Sequence, residues 1–359
     1  MELSHMDNDT IRVGVIGAGD NTRRKHIPGF KAIDGVALVG VANRSRESGQ
    51  RVADEFDIPR VYDEWRALVT APEVDAVCVG TWPYLHRPAV LTALEHDKHV
   101  LTEARMALNA HESREMLAAA RAKPHLVTQV VPAPFSYDYE QTAIDMMADG
   151  YIGDLLSVEL AISQGFVNRE APYMWRHDRA LSGYNAMLVG AWYECLMRMV
   201  GPASSVSAVT RVNVSSRADS SGQRRTTDIP DHVDVLSELT SGALMRIRVS
   251  EVLGHSADAL SFFGTEGTLL VDFGGMNQYS GEAGKTGLYG GRKDDAKLAP
   301  IEILPEKTRG WRVEEEFINA IRGIEPVARN TFEIGVQYME FTEAVTRSAQ
   351  SRRTVYLPL

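Results

Sequence analysis

Cysteine is scarce in this sequence. Only Cys78 and Cys195 occur among the 359 residues, and each lies within an apolar run. A buried, reduced thiol is the ordinary state of such a cysteine. So few cysteines exclude the disulfide framework of a small secreted protein and fit a reducing compartment. We therefore expect a cytoplasmic protein.

Long apolar runs are also missing. No stretch approaches the roughly 18 consecutive apolar residues that suggest a membrane span. Residues 1–10 are polar and acidic, without the basic flank and apolar stretch of a secretory signal. These absences predict no association with a membrane. Because Ser4, His5 and Met6 look like a cloning remnant, we count the first domain from residue 7.

The chain has no excess of positive charge. Its 38 Lys and Arg residues are outnumbered by 48 Asp and Glu residues, which gives a formal net charge of −10. Nucleic acids and anionic bilayers attract basic surfaces, so neither is an expected partner. A small molecule is the expected ligand.

The length corresponds to two domains at roughly 150 residues each. From Ile11 to Val131, apolar strand-like runs alternate with amphipathic helical stretches, which is typical of a parallel sheet with crossover helices. After Pro132, helices are followed by strand-like runs whose short turns favour antiparallel pairing. We predict an α/β chain, with a parallel sheet in residues 7–131 and an α+β domain with an open, largely antiparallel sheet in residues 132–359.

Two local predictions concern the second domain. Residues Gly183–Val200 form one predicted helix, which ends at the stop signal Gly201-Pro202. The polar, serine-rich segment Ser215–Gln223 is predicted to be a long loop.

A glycine pattern follows the first predicted strand. Gly17 and Gly19 open a turn in which the missing side chains let backbone amides approach a diphosphate. Thr22 replaces the third glycine of the usual fingerprint, so the packing of strand and helix must accommodate a small β-branched side chain. The position after the first strand of an alternating series favours a Rossmann dinucleotide site over a plain turn. Asp20 and Asn21, in the same turn, are further candidate cofactor contacts.

The second predicted strand ends at Asn43, where dinucleotide sites commonly carry an acidic residue that binds a ribose hydroxyl. The neutral Asn43 is followed by Arg44 and Arg46, which removes the repulsion of a 2′-phosphate and supplies charges that pair with one. Alternatively, both arginines are solvated residues at the start of the next helix. The expected cofactor is NAD or NADP, and the pattern favours NADP.

Motifs along nearly the whole chain carry a family resemblance. They are the segments Gly80–His86, Lys98–Glu103, Tyr151–Leu155, Trp175–Asp178, Ser182-Gly183, Phe263–Thr268 and Arg353–Val355. The chain resembles the glucose-fructose oxidoreductase / inositol dehydrogenase / MocA (Gfo/Idh/MocA) family. The resemblance implies a Rossmann domain for dinucleotide binding, a second domain that binds substrate and whose open sheet often mediates oligomerisation, and a sugar, cyclitol or related polyol or keto-sugar as substrate. It adds Thr81, Trp82, His86 and Glu103 to the candidate cofactor contacts, and we expect a homodimer or homotetramer.

The sequence departs from that family at its proton-handling residues. The family's Glu-Lys-Pro motif appears as Glu103-Ala104-Arg105, so Ala104 stands at the position of the usual lysine. The family's Asp and His, one helical turn apart after a glycine run, correspond to Leu188 and Trp192. The resemblance therefore implies an enzyme with non-standard proton-transfer groups.

Other residues are candidates to replace those groups, because alcohol oxidation needs a group that takes the hydroxyl proton. Tyr184 is the first candidate: on the predicted helix it lies one turn before Leu188, with Asn185 beside it to bind substrate. His177 is a second candidate, because its side chain titrates near neutral pH. Arg105 is a candidate to stabilise an oxyanion or to hold an anionic substituent of the substrate.

Three further residues are candidate substrate contacts. Trp192 offers a flat apolar face of the kind on which sugar rings stack. Arg176 and Tyr193 are the other two candidate substrate contacts. Each main candidate also has a purely structural interpretation. Tyr184 and Trp192 are then core residues, His177 is a solvated or structural loop residue, and Arg105 belongs to a surface ion pair. No set of residues shows the spacing of four metal ligands, so no metal is predicted.

Three functions remain open at this point. The first is an NAD(P)-dependent oxidoreductase that acts on a sugar, cyclitol or related compound. The second is a lyase or glycosidase that retains its cofactor and oxidises a sugar carbon transiently. The third is a non-catalytic sensor that keeps the cofactor-binding fold. Net cofactor turnover separates the first from the second, and conversion of any polyol or keto-sugar separates both from the third.

Overall fold

The computed structural model describes residues 10–184, 187–274 and 286–359. Within these ranges, none of the helices has both the length and the apolar character that crossing a bilayer requires. Cys78 and Cys195 are buried and reduced, as the sequence predicts. The described part of the fold therefore depends on packing and hydrogen bonding, with no disulfide.

The chain divides into two compact units. The first comprises the residues up to Pro132 together with Trp311–Met339, and the second comprises Ala133–Gly310 and Glu340–Leu359. This division differs from the sequence prediction, which assigns all of residues 132–359 to one domain. The segment that begins at Trp311 joins the first unit because Phe317 and Ile318 on its helix pack in the core of that unit.

The first unit contains a six-stranded parallel sheet, which confirms the predicted Rossmann fold. Its strands are β1 (Ile11–Ile16), β2 (Val36–Ala42), β3 (Val61–Tyr62), β4 (Ala76–Val79), β5 (His99–Thr102) and β6 (Thr128–Val130). They lie in the order β3-β2-β1-β4-β5-β6, and the paired strands run parallel. The order reverses between β1 and β4, and ligands of such sheets bind outside the carboxyl ends of the strands at this switch point.

Helices connect these strands. They are α1 (Ile27–Lys31), α2 (Arg46–Phe56), α3 (Trp65–Val69), α4 (His86–Glu95) and α5 (Ala110–Arg121). Two further helices, α9 (Val313–Ile321) and α10 (Phe332–Ser351), come much later in the chain. At the start of α2, the Ser45 hydroxyl accepts a hydrogen bond from the Ser48 amide at 3.2 Å. At the start of α5, the Asn109 side chain accepts one from the Glu112 amide at 2.9 Å. These caps satisfy amides that the first helical turn leaves unpaired.

Apolar residues from several elements form the core of the first unit. One cluster joins β1, β4 and β5 to Phe30 and to Phe317 of α9. Another joins β1 and β2 to Val52 and Ala53 of α2. β1 is buried along almost its whole length, because helices cover both faces of a parallel sheet of this kind. The strand and helix alternation predicted from the sequence is therefore the arrangement that buries these apolar runs.

The second unit is built on a nine-stranded sheet, which confirms the predicted α+β architecture. The strands of this sheet are β7 (Leu155–Ser163), β8 (Ala203–Arg211), β11 (His232–Leu239), β12 (Leu244–Ser250), β13 (Ala259–Gly264), β14 (Gly267–Asp272), β15 (Gly287–Arg292), β16 (Ala299–Ile301) and β17 (Val355–Tyr356). The unit also contains the short strands β9 (Ser216–Ala218) and β10 (Arg224–Thr226). Its helices are α6 (Glu140–Ala148), α7 (Arg179–Ser182) and α8 (Val189–Val200). The large sheet has the order β16-β15-β14-β13-β7-β12-β11-β8-β17, while β9 and β10 form a separate hairpin. Of the described pairs in the large sheet, β7 and β12 run parallel and the others antiparallel.

The helix predicted to start at Gly183 begins later. α7 ends at Ser182, and the next residue, Gly183, has a φ of 68° and a ψ of −149°, which are accessible to glycine and strained for other residues. Met187 also has a positive φ, 54°. α8 therefore begins only after Leu188, and the expectation that Tyr184 lies one turn before Leu188 on a single helix is wrong.

The segment Ser215–Gln223, predicted to be a long loop, contributes to a hairpin. Its strands β9 and β10 pair antiparallel. Asp219 holds the turn, because its carboxylate accepts hydrogen bonds from the amides of Ser221 at 2.9 Å and Gln223 at 3.1 Å. Short polar strands have no apolar alternation, which is why the sequence pattern is typical of a loop.

Candidate active site

A glycine turn follows β1 at the carboxyl edge of the parallel sheet. Gly17 has a φ of +81°, and a Cβ there would lie 2.5 Å from the Thr81 Cγ2 atom, so only glycine fits. A Cβ at Gly19 would meet only the Gly80 carbonyl oxygen, at 3.8 Å, so the space over Gly19 is open. The chain then enters a helical turn at Asp20, where the first amides have no helical acceptor. This cradle of open space and free amides fits a diphosphate.

Thr22 stands at the third position of the glycine fingerprint, and Gly80 accommodates it. Thr22 is buried, and its hydroxyl donates a hydrogen bond to the Gly17 carbonyl oxygen at 3.2 Å. A Cβ at Gly80 would overlap both the Thr22 hydroxyl and the Gly17 carbonyl oxygen. The close approach that usually needs glycine on the helix is thus provided by a glycine after β4.

Asn43, directly after β2, braces the glycine turn. Its Oδ1 accepts a hydrogen bond from the Ala18 amide at 2.8 Å, and its Nδ2 donates one to the Ser48 carbonyl oxygen at 3.2 Å. Both ends of the side-chain amide are engaged within the protein. The geometry therefore favours a role in shaping the turn over direct contact with a ribose.

The two arginines after Asn43 have different surroundings. Arg46 donates to Asp63 at 2.8 Å in an exposed ion pair. The Arg44 guanidinium lies 5.9 Å from the centre of the Trp82 ring, which is its one partner among the residues that the structure describes. The structure thus brings together two predicted cofactor contacts, Arg44 and Trp82. Of the two arginines, Arg44 is the one without a paired carboxylate in the described chain.

His86, at the start of α4, is fully buried between two backbone carbonyl groups. Its Nε2 lies 3.0 Å from the Thr81 oxygen, and its Nδ1 lies 2.9 Å from the Arg105 oxygen. Burial lowers the pKa of His86, so the ring is neutral and donates its one proton to either carbonyl. His86 therefore links the loop after β4 to the segment after β5, and its burial argues against direct contact with a ligand.

Ala104 and Arg105 follow β5, where the family resemblance leads us to expect a lysine. Ala104 is exposed and Arg105 is half-buried. Two hydrogen bonds anchor the backbone of this segment. The Arg105 carbonyl oxygen lies 2.9 Å from the His86 Nδ1 atom, and the Met106 amide donates to the Tyr338 hydroxyl. Arg105 therefore places a cation on an anchored segment at the carboxyl edge of the sheet.

Glu103, the residue after β5, belongs to a buried network that the sequence does not reveal. Its Oε1 accepts a hydrogen bond from the Asn21 side chain and lies 3.0 Å from the His26 Nε2 atom. The other ring nitrogen of His26 contacts the Glu314 carboxylate. His26 and Glu314 are 288 residues apart, so no local pattern could identify the pair.

In the second unit, the Trp175–Asp178 segment forms a short 3₁₀ turn that leads into α7. The His177 Nδ1 accepts a hydrogen bond from the Met174 amide at 3.0 Å, so the neutral ring carries its proton on Nε2. Burial, together with the charges of Arg217 and Arg176, lowers the pKa of His177 to about 4. This geometry favours a hydrogen-bond donor over the general base that the sequence suggests.

Two charged residues that interact through Arg217 with this region have no signal in the sequence. Arg217 on β9 is buried, and it donates to the Asn168 carbonyl oxygen at 2.9 Å, while its Nε has no partner in the described chain. Glu251 directly follows β12, and burial raises its pKa although the charge of Arg217 opposes that rise. Arg217 is thus within electrostatic reach of both His177 and Glu251. These residues are far apart in the chain, so the fold and not a local pattern brings them together.

The remaining substrate-side candidates lie at the surface or beyond the described part. Tyr184 is half-buried, and the Arg179 guanidinium lies 5.8 Å from the centre of its ring. Arg176 is exposed, with its guanidinium 4.5 Å from the centre of the Trp175 ring. Asn185 lies outside the described residues. The roles of Tyr184, Arg176 and Asn185 in catalysis and binding stay predictions.

Trp192 and Tyr193 on α8 lie in the core of the second unit. Trp192 is 0% exposed and packs against Phe135 and Phe273, with ring centres 4.9 Å and 5.2 Å apart. Tyr193 stacks on Phe341 at 3.6 Å, and its hydroxyl accepts a backbone N–H at 2.9 Å. These positions correct the expectation that the two rings contact substrate, because packing already covers both.

Charged groups elsewhere on α8 are paired. Glu194 and Arg198 form a buried ion pair one turn apart, at a spacing that places two helical side chains side by side. Arg198 also donates to Glu140 at 3.0 Å. Across the residues that the structure describes, no three His, Cys, Asp or Glu side chains are grouped so as to hold a metal ion.

The parallel sheet and its glycine cradle define a dinucleotide-binding class of fold. Residues 11–130 match the oxidoreductase family with an NAD-binding Rossmann fold, and residues 141–270 match the Gfo/Idh/MocA C-terminal domain. Together the two matches cover more than half of the chain. The protein therefore belongs to the Gfo/Idh/MocA family of oxidoreductases, and its first unit is an NAD-binding Rossmann domain.

Several curated proteins are similar in sequence. An uncharacterized oxidoreductase of Synechocystis sp. is 25% identical over 277 residues, which are 75% of this chain and 73% of that protein. The trans-1,2-dihydrobenzene-1,2-diol dehydrogenase of Bos taurus is 26% identical over 230 residues, 64% of each chain. The levoglucosan dehydrogenase of Pseudarthrobacter phenanthrenivorans is 23% identical over 256 residues, 65% of this chain and 64% of that one. The chain thus spans just under two thirds of both named dehydrogenases.

Solved structures share the fold over nearly the whole chain. Levoglucosan dehydrogenase in complex with NADH and levoglucosan aligns with a TM-score of 0.81 at 21% identity, covering 98% of this chain and 100% of that one. The aldose-aldose oxidoreductase of Caulobacter crescentus complexed with glycerol aligns with a TM-score of 0.76 at 22% identity, covering 97% and 100%. At such identities the likeness establishes the fold alone.

Proposed function

We propose that the protein is an NAD(P)-dependent oxidoreductase that acts on a sugar, a cyclitol or a related polyol or keto-sugar. The observation that carries the proposal is the open cradle over Gly19 at the switch point of the parallel sheet. Membership of an oxidoreductase family supports it. Among the similar proteins, one is named for a sugar derivative and another for a cyclic diol, which supports a hydroxyl-bearing substrate.

In this proposal, the residues of the first unit hold the dinucleotide. Gly17 shapes the turn, the open side of Gly19 admits the diphosphate, and the first amides of the helical turn at Asp20 and Asn21 bind its oxygens. The cofactor, when bound, supplies the hydride acceptor or donor. The loop after β4, with Thr81 and Trp82, borders the same edge of the sheet.

The preference for NADP rests on Arg44. A 2′-phosphate adds a dianion at the end of β2, and a guanidinium without a carboxylate partner pairs with it. Arg44 satisfies this condition in the described chain, whereas Arg46 is held by Asp63. Arg44 thus supports binding of NADP, with NAD as the alternative cofactor.

Proton transfer is assigned to Tyr184, with Arg105 and His177 as supporting groups. Ala104, Leu188 and Trp192 cannot carry a proton, so a different residue must do so. Tyr184 has a phenolic hydroxyl on a half-buried side chain, next to a guanidinium. The proton on His177 Nε2 suits a hydrogen bond to a substrate oxygen, and the Arg105 cation suits a developing oxyanion.

The open sheet of the second unit supports a homo-oligomer. Side chains on one face of β8, β11 and β12 include three exposed apolar residues, Val209, Leu236 and Leu244. The three are diagonal neighbours on the paired strands, and a group of exposed apolar side chains on one face supports an interaction surface. Sedimentation analysis of the purified chain distinguishes a monomer from the proposed dimer or tetramer.

Calorimetric titration with NADH and NADPH, followed by a panel of polyols and keto-sugars, tests the proposed function. We expect heat from at least one nucleotide and a change in NADH absorbance with at least one member of the panel. The absence of nucleotide binding by correctly folded protein would refute the proposal. Conversion of a substrate without net cofactor turnover would instead identify the lyase or glycosidase alternative.

A further inference from the structure

The buried network at His26 connects the nucleotide cradle to α9. His26 lies at the end of the helical turn that follows Asn21, and it is 0% exposed. Its Nε2 is 3.0 Å from the Glu103 carboxylate, and its Nδ1 contacts the Glu314 carboxylate. The Trp311 indole N–H donates to Glu314 at 2.8 Å. Every polar atom of the His26 ring therefore has an acidic partner.

The charge state of this network follows from its geometry. A ring with a carboxylate on each nitrogen is most stable as an imidazolium, because both nitrogens can then donate. Burial alone would lower the pKa of His26, but its hydrogen bonds to Glu103 and Glu314 raise the pKa from 6.5 to about 9. Burial would likewise raise the pKa of Glu103, but its contacts with His26 and Asn21 hold it below its ordinary value.

The position of Glu103 gives this network a function. Glu103 directly follows β5, at the edge of the sheet where the ligands of such folds bind. Its Oε1 holds the Asn21 side chain, and Asn21 lies two residues after the open cradle at Gly19. Its Oε2 accepts a hydrogen bond from the Ala104 amide at 3.1 Å, and 16% of the side chain is exposed. A carboxylate so placed accepts hydrogen bonds from nucleotide hydroxyls but repels the diphosphate unless a cation balances it.

We propose that His26 is a positioning residue of the nucleotide site: clamped by Glu314, its imidazolium fixes Glu103 beside Asn21 and balances the carboxylate charge next to the bound diphosphate. This inference rests on the proposed function, because it requires that the cradle binds a dinucleotide. Loss of the His26 proton leaves two buried carboxylates without a cation between them. Nucleotide affinity is therefore expected to fall as His26 deprotonates.

Other titratable groups around the network do not account for such a fall. Charges of Glu103 and Glu314 reach Cys78 on β4, but burial raises the pKa of that thiol well above its ordinary value. His86 faces Glu103 from α4, and burial lowers its pKa, so it is already neutral. The Lys25 ammonium faces the network from the other side of Trp311, at 5.7 Å from the centre of that ring.

The test is a series of NADH titrations, by calorimetry, from about pH 7 to about pH 10. We expect the unaltered chain to bind NADH with an affinity that falls with a midpoint at about pH 9. In Glu314→Gln, which removes the charge at the ring nitrogen that does not contact Glu103, the midpoint should move down towards the ordinary histidine value of 6.5. His26→Gln should bind NADH roughly tenfold more weakly near neutral pH, because a charged partner is left unpaired.

Nitrogen chemical shifts of the His26 ring provide a second measurement that does not depend on NADH or on activity. We expect its titration midpoint to follow the midpoint of NADH affinity in the unaltered chain and in Glu314→Gln. Trp311→Phe removes the indole N–H that donates to Glu314 but keeps an aromatic ring, and it is a milder variant with the same expected direction if Glu314→Gln does not fold. His111→Asn changes an exposed histidine of the same unit and should leave both midpoints in place.

The outcomes separate the two levels of inference. Equal NADH affinity across the pH range, or an unchanged midpoint in folded Glu314→Gln or Trp311→Phe, would overturn the role of His26 while leaving the proposed function intact. A drop in stability without any change in NADH affinity would assign the network a structural role only. Failure of the unaltered chain to bind NADH at any pH would refute the proposed function itself, and this inference with it.

Discussion

The Thr22 hydroxyl occupies the space that a side chain at Gly80 would need. The two residues face each other at the carboxyl ends of β1 and β4, where the Thr22 Oγ1 also donates to the Gly17 carbonyl oxygen. A fingerprint that lacks its third glycine is thus compensated from a different strand. The position that must be glycine is therefore Gly80, in the loop after β4, and not residue 22 on the helix.

Gly80→Ala should destabilise the first unit. The added Cβ would overlap the Thr22 hydroxyl and the Gly17 carbonyl oxygen, and overpacking of this kind costs about 1–3 kcal/mol. Urea unfolding measures the loss. Adding Thr22→Ala should recover only part of it, because the Gly17 carbonyl oxygen remains in place.

Gly19→Ala is the matched control for that substitution. Its Cβ would meet only the Gly80 carbonyl oxygen at 3.8 Å, so stability should change by less than about 1 kcal/mol. NADH binding should nevertheless weaken, because the methyl group fills the cradle. A Gly19→Ala variant with unchanged NADH affinity would argue that the diphosphate does not bind at this turn.

The stability of the first unit should decrease at alkaline pH. The pKa of His26 is about 9 in the folded chain, against an ordinary value of 6.5 for an unfolded one, so its contribution is fully present below about pH 6.5 and is lost as the pH rises through 9. The loss is of the order of 3 kcal/mol, at about 1.4 kcal/mol per pKa unit. Urea unfolding over this pH range provides the measurement, and His26→Gln should abolish this part of the pH dependence.

Arg44→Ser should discriminate against NADP. The variant removes the guanidinium proposed to pair with a 2′-phosphate and should weaken NADPH binding about tenfold or more, since charge-assisted bonds contribute roughly 1.5–3 kcal/mol. NADH binding should change little. Arg46→Ser, which breaks only the exposed pair with Asp63, serves as the control. A clear preference of the unaltered chain for NADH would reject the assignment of Arg44.

Tyr184→Phe should lower turnover at least about tenfold, or about 1.4 kcal/mol of barrier, because the variant has no phenolic proton. The affinity for the nucleotide should stay unchanged. Steady-state kinetics with a substrate identified in the polyol and keto-sugar panel provide the measurement. Turnover equal to that of the unaltered chain would remove Tyr184 from the mechanism.

Much of the fold could be predicted from the sequence. β1 (Ile11–Ile16) directly precedes the glycine turn in the structure, as predicted, because a short apolar run followed by a glycine turn has few alternative conformations. The start of α8 could not be predicted, because the break depends on the backbone conformations of Gly183 and Met187. The polar hairpin at β9 and β10 could not be predicted for the opposite reason, since its strands bury too little apolar surface to leave a pattern.

The candidate site also has a part that the sequence predicts and a part that it does not. The Gly17–Gly19 turn belongs to the first part, because the spacing of its glycines is a local signal. Trp192 illustrates the limit of a prediction from sequence position: the resemblance suggested that it replaces a histidine near the substrate, yet its ring packs against Phe135 and Phe273. Its chemical type is plain from the sequence, but whether it faces solvent or core depends on its neighbours in space.

The amino-acid order alone determined the class of fold and the glycine turn after β1, and the family resemblance predicts from it that the usual lysine, aspartate and histidine are replaced. Each of these is encoded within a few consecutive residues, by periodicity or by residue type. The tertiary structure alone decided that Gly80 makes room for Thr22, that Trp192 is buried, and that His26 lies between Glu103 and Glu314. Those facts depend on which distant segments meet, because steric fit and the charge of a buried group are set by spatial neighbours and not by chain neighbours.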